Sequence, residues 1–319
     1  MTTTSSHLVQ GAYAYEADDG WAKLPEGWTF PEVADVAVDS NDNLYVFNRG
    51  NHPVIVFDKA GNAIRSFGEG FFGGRAHGIA AGVDGFIYCV ENTKHAIHKF
   101  TQEGELVFTL GEEGKPAPKW SNKPFNLPTN MEVSPKSGDI YVSDGYGNAA
   151  IHRFSQDGAL VRSWGDVGCD PGQFQHPHDL AIDENEYVYV CDRENYRIQI
   201  FDGNTGKLEA IWHDIYRPTG IHIAKDGTVY ICELLHDPRL ADCETLGHRI
   251  SIYDASGTRI ARLGAPEEGD GPGQFTAPHG CDVDSQGNIY VGEVSFTEKG
   301  RLQDPPKTYQ SLRRLKKLP

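Results

Sequence analysis

Long apolar runs are missing from this chain of 319 residues. No stretch approaches the roughly 18 consecutive apolar residues of a membrane-crossing helix, so no membrane span is expected. The opening segment MTTTSSHLVQGAYAYE has no basic stretch followed by an apolar one. It therefore carries no readable secretion signal, and the expected compartment is the cytoplasm. Basic charge is in short supply, with 29 Lys and Arg against 45 Asp and Glu and a net charge of −16. Phosphate binding needs a basic surface, so nucleic acid is excluded as a partner. The one basic cluster, LRRLKKL at 312–318, is too short to alter that. Methionine is scarce, at 2, while glycine reaches 36, which favours short strands and tight turns over helices. The six cysteines lie apart without paired CxxC spacing, several of them (Cys89, Cys191, Cys232) inside strand-like segments. They read as free buried thiols of a reducing compartment.

What the chain has instead is one repeated grammar. Six segments end an apolar, Tyr-Val-rich run on an acid or amide: NLYVFN (43–48), FIYCVE (86–91), DIYVSD (139–144), YVYVCD (187–192), TVYICE (228–233) and NIYVGE (288–293). Each follows a shorter apolar strand. The first five lead into a third strand (PVIVFD, AIHKFT, AIHRFS, RIQIFD, RISIYD) and, through a glycine-bearing turn, into a fourth (NAIRSFG, ELVFTLG, ALVRSWG, KLEAIWH, TRIARLG). Period-2 alternation bounded by Gly, Asp and Asn marks these as strands. Four strands per unit of roughly 40–50 residues is the pattern of a propeller blade. The sixth unit is incomplete: YQSLRRLKKL supplies a third strand, and the N-terminal segment AYAYEADDGW, about residues 11–22, supplies the fourth. The expected fold is all-β: a six-bladed propeller occupying residues 1–319 as one domain, its ring closed by the two chain ends, which removes open edges.

Loop lengths separate two faces. The 1–2 and 3–4 turns are uniformly tight, while the 2–3 and 4–1 connections hold every insertion (115–124, 234–247, 265–274 and 295–308). Function is expected on the long-looped face.

On that face, the start of the innermost strand carries Ala34, His77, Thr129, His178, Thr219 and His279 in the six units. The histidines fall in alternate units, 101 residues apart each time. Alternate blades of a six-fold ring stand about 120° apart, so three imidazoles at one level converge on the axis. Three neutral imidazoles with open positions for water or substrate are the donor set of a catalytic zinc or similar divalent metal. Other histidines, such as His52, His176 and His222, do not share that position. Directly after the acid of the second strand come Arg49 (FNRGNH) and Arg193 (CDRENYR), and one residue further in the third unit comes Tyr146 (SDGYGN). Arginine forks bind carboxylates, and a phenol beside a metal and a guanidinium can serve as a base. The acid and amide row itself (Asn48, Glu91, Asp144, Asp192, Glu233, Glu293) reads as structural.

The unit GQFQHPHDLAIDENEYVYVCDRENYRIQIF resembles an NHL repeat, a likeness that covers nearly the whole chain but implies only a fold. The alternating histidines together with RGNH, DGYGN and DRENYR resemble the peptidyl-α-hydroxyglycine α-amidating lyase family. That resemblance implies a zinc held by His77, His178 and His279, a tyrosine base at Tyr146, and Arg49 and Arg193 as the active-site arginines. In that family an α-hydroxyglycine is cleaved to an amide and glyoxylate. The chain departs from the family at two points. Gly280 follows His279 where the family has an aspartate for a structural calcium, which leaves calcium unsupported. Gly147 stands where the family has a disulfide cysteine. No monooxygenase region accompanies the segment. The expected activity is a metal-dependent lyase on a small carboxylated α-hydroxy amide, with Arg193 clamping the carboxylate and Arg49 favouring the ionised Tyr146. A hydrolase, hydratase or lactone-opening enzyme on the same site, or a non-catalytic propeller that binds a protein, remain as alternatives, and the oligomeric state is open.

Overall fold

Strands of alternating or wholly apolar residues, cut every few positions by Gly, Asp and Asn, collapse into six antiparallel sheets arranged as a ring. The computed structural model describes residues 7–234 and 246–319, so most of the 234–247 insertion and Cys243 lie outside the described residues. Blade one comprises Val33–Val38, Leu44–Asn48, Val54–Phe57 and Ala63–Phe67, and blades two to five repeat that meander. The innermost strands neighbour one another in sequence order, and Pro278–Val283 of blade six returns to lie beside Val33–Val38 of blade one. This is the expected six-bladed, all-β propeller. Among the described residues no helix is long and apolar enough to cross a membrane.

The second strands are buried on both faces, Tyr187 at the start of the blade-four strand excepted, because each blade is covered by its neighbours. That explains runs such as LYVFN and IYCVE, which show little alternation. The outermost strands behave differently: Leu160–Trp164 is exposed at four of its five positions. Apolar clusters fill the wedges between blades. One joins Phe47 and Phe67 of blade one to Ile87 and Phe100 of blade two.

Blade six closes the ring as expected and adds a strand. Leu312–Lys317 pairs with Ile289–Glu293 on one side and with Tyr13–Ala17 on the other. The N-terminal strand is shorter than the expected 11–22, and His7–Gln10 folds back on it as a fifth strand.

The acid row that ends each second strand is spent on structure. Asp192 Oδ1 accepts from the Gln175 amide and its Oδ2 from Arg197, at 2.8 and 2.7 Å. Glu233 and Glu293 hold the Tyr216 and Thr276 amides with Arg249 and Arg313 as counter-ions. Each acid thus ties down the connection that delivers the chain to its own innermost strand, satisfying donors that a buried loop would otherwise leave open. The five described cysteines are unpaired; four are buried and Cys169 is exposed.

Candidate metal centre

A local irregularity aims the histidines. In blades two and six the pairing of first and second strand slips between Ala76 and Gly78 and between Pro278 and Gly280, so His77 and His279 have no cross-strand partner. Blade four slips likewise between Pro177 and Leu180, around His178. These are β-bulges, which kink a strand and redirect the extra residue's side chain, here onto the propeller axis.

The ring centroids of His77, His178 and His279 lie 4.6–4.9 Å apart, and one nitrogen from each falls within 4.8 Å of the others. All three are almost completely buried. Each Nδ1–H donates to a backbone carbonyl of the next, odd-numbered blade: His77 to Thr129 at 2.6 Å, His178 to Thr219 and His279 to Ala34 at 2.7 Å. The positions that lack histidine in the repeat are therefore the ones that orient the histidines. Fixing Nδ1 as the donor leaves Nε2 as a lone pair facing the axis, the usual outer-sphere arrangement around a metal-binding imidazole. Burial, reinforced by the Arg49 and Arg193 guanidiniums and neighbouring imidazoles, holds all three rings well below the ordinary histidine value, His279 down to about 3. They stay neutral at physiological pH, as ligands must. The donor set fits a transition metal such as zinc.

The odd blades complete a hydrogen-bonded belt around the site. Thr129 Oγ1 donates to the Pro177 carbonyl and Thr219 Oγ1 to that of Pro278, both at 2.9 Å. Blade one has Ala34 at that position and no hydroxyl to give. The matching acceptor, the carbonyl of Ala76, is taken instead by Arg49 Nε at 3.0 Å.

Tyr146 reaches the same point. Its hydroxyl lies 2.8 Å from His77 Nε2 and 2.9 Å from His178 Nε2, and Arg193 donates to it at 3.3 Å with its guanidinium over the ring. The turn that carries Tyr146 is packed rather than loose: a Cβ at Gly145 would strike the Pro177 carbonyl oxygen, and one at Gly147 would strike Asn126. Glycine is needed there because backbone approaches backbone, which also accounts for Gly147 where a cysteine would collide. Arg49 shares the pocket but makes no hydrogen bond to Tyr146. Its fork is held by the buried Glu32 at 2.6 Å and by Thr297. Glu32 and Thr297 escaped sequence reading because they come from connections remote in sequence.

Beneath the imidazoles a second axial layer went unread. The Asn130 amide donates to Asp35 at 3.1 Å and to Asp179 at 2.6 Å, and both acids also accept backbone amides. Burial pushes both carboxyls up, Asp179 to about 7. A Cβ at Gly280 would strike the Asp35 carboxylate. Asp35 therefore fills the place an aspartate after His279 would need, and the Asn130 amide nitrogen, not a cation, bridges the two carboxylates. A third layer pairs His222 with Asp282 at 2.7 Å, so His222 is engaged away from the imidazole trio. His176 is also outside the trio: its backbone is left-handed, at φ 59°, and its ring meets Tyr146 edge-on at 5.8 Å.

A propeller with a neutral imidazole trio at the mouth of its axis defines the class. The NHL repeat model matches residues 174–201. The human NHL repeat-containing protein 3 is 32% identical over 298 residues, 88% of this chain and 81% of its own length. The chain belongs to the NHL-repeat family. The Drosophila melanogaster peptidyl-alpha-hydroxyglycine alpha-amidating lyase 1 is similar at 29% identity over 160 residues, 46% of this chain and 29% of that protein. Among solved structures, a gluconolactonase from Xanthomonas campestris superposes with a TM-score of 0.60 at 14% identity, covering 91% of this chain and 87% of that one. At that identity the likeness is one of fold.

Proposed function

We propose that the chain is a metal-dependent lyase that splits a small carboxylated α-hydroxy amide into an amide and an α-oxo acid. The observation that carries this is the convergence of Tyr146 Oη, two histidine Nε2 atoms and the Arg193 guanidinium on one point. His77, His178 and His279 would hold the metal, which when bound supplies Lewis acidity to the substrate's oxygens. Tyr146 takes the proton of the α-hydroxyl. As the C–O bond becomes a carbonyl, the C–N bond breaks and its electron pair leaves on nitrogen, which gains a proton. No water is consumed. Arg193 lies against Tyr146 and stabilises the negative charge that the phenolate carries before it accepts the proton, and its remaining N–H donors suit a carboxylate. Arg49, committed to Glu32 and to the Ala76 carbonyl, acts by holding the peptide next to His77.

The test is product analysis on α-hydroxyhippurate with zinc-loaded protein in ¹⁸O-water. Glyoxylate and benzamide in equal amounts, with no label in the benzamide, are expected. A labelled benzoate would instead assign a hydrolase to the site. Absence of turnover across α-hydroxyglycine derivatives would overturn the lyase reading.

A further inference from the structure

Next to the imidazole trio lies a pocket of about 400 Å³, its open mouth included. Three guanidiniums, Arg49, Arg75 and Arg193, line it against one carboxylate, Glu298. Arg49 and Arg193 are each matched by an acid, Glu32 and Glu194. Arg75 is exposed and, among the described residues, makes no hydrogen bond or ion pair. A solvated arginine alone would mean little, but Asn92 lines the same pocket. It is 2% exposed, and its Oδ1 is buried without a hydrogen-bond partner. A buried acceptor left open costs stability, and in a pocket wall it is completed by a ligand that donates. Asn92 occupies in blade two the position that Arg49 and Arg193 hold in blades one and four, directly after the acid or amide that ends the second strand, and Arg75 stands two residues before His77. Both therefore face the pocket from the blade-two side.

We propose that Arg75 and Asn92 select a substrate with a second anionic group: a small N-acyl α-hydroxy acid whose amide N–H meets Asn92 and whose acyl chain ends in a carboxylate at Arg75. The proposal rests on the lyase reading for where the substrate lies, and its test is made by binding alone. N-succinylglycine and N-butyrylglycine share the amide and the first carboxylate, differ in the second, and lack the reactive hydroxyl. Titration calorimetry on the zinc-loaded protein should show roughly tenfold tighter binding of N-succinylglycine. Arg75→Gln should shrink that preference to less than about twofold, and Asn92→Val should weaken both acids by a similar factor while the preference stays. Equal affinity of the native protein for the two acids, a preference that survives Arg75→Gln, or no binding of either acid would overturn the proposal. Glyoxylate release from α-hydroxyhippurate by the same preparation is read separately, so a failed selectivity and a failed lyase activity are told apart.

Discussion

Arg49 Nε donates to the carbonyl of Ala76, the residue that precedes His77, at 3.0 Å. The other two histidine strands receive that hydrogen bond from a threonine hydroxyl of the preceding blade. Arg49 is thus a positioning residue for a metal ligand as well as a wall of the pocket. Arg49→Lys keeps the charge but has a single nitrogen for acceptors now served by a fork. It should lower zinc affinity about tenfold, the scale seen when outer-sphere partners of a metal ligand are lost, as measured by competition with a chelator. Unchanged zinc affinity with a raised KM would place its role on the substrate instead.

His178→Ala should lose most bound zinc, while His176→Ala should keep it. Only His178 has its Nδ1 locked to a carbonyl and its Nε2 turned to the axis; the His176 Nδ1 is buried without a partner. Elemental analysis of the two purified variants decides this, and equal zinc in both would count against the trio.

Tyr146→Phe removes one oxygen from a turn whose shape is set by Gly145 and Gly147, so fold and zinc content should stay as they are. Turnover should fall by roughly 10²-fold or more, the usual scale for a general base. Near-native turnover would remove Tyr146 from the chemistry.

Glu132, lower on the axis, gives a pH-dependent expectation. Burial pushes its carboxyl up to about 8, with the Asp282 charge adding to it. Between the ordinary carboxylate range and pH 8 the folded protein holds a proton that the unfolded chain has lost. The group's contribution to stability is therefore complete below the unfolded value and is lost as pH rises through about 8. Glu132→Gln should match the native melting temperature at pH 4 and exceed it at pH 8 by about 1.5 °C for each kcal/mol relieved, the scale for an unfolding entropy of about 2.1 cal/mol/K per residue. A melting difference that does not change with pH would mean that His222 keeps Glu132 ionised throughout.

The ring of blades was legible because the second strands repeat a buried apolar run closed by an acid, and both features survive the divergence of the loops. The histidine trio was legible for the same reason: equal spacing in a repeat becomes equal angle about an axis. The bulges at His77, His178 and His279 were not, since nothing in AHG, PHD or PHG marks a slipped register. Nor was the Asp35–Asn130–Asp179 layer, whose members share their strand position with Gly78, Gly220 and Gly280 in the other blades and look like ordinary polar strand residues until Asn130 is seen bridging two carboxylates. Arg193 was expected to clamp substrate and Arg49 to attend Tyr146; the contact to Tyr146 comes from Arg193, a pairing between separate blades that no linear spacing encodes. His7–Gln10 was missed because four residues with three exposed carry too little pattern.

The seam in blade six has a kinetic side. Tyr13–Ala17 precedes all of blade one in the sequence, and its partner Leu312–Lys317 follows the inner strands of blade six. Five blades can form their internal ladders from contiguous stretches of chain, yet the belt is buckled only when two segments remote in sequence meet, the kind of contact whose loop-closure cost slows folding. His279 belongs to the buckle blade, so one of the three imidazoles stands in the sheet that waits on that long-range pairing.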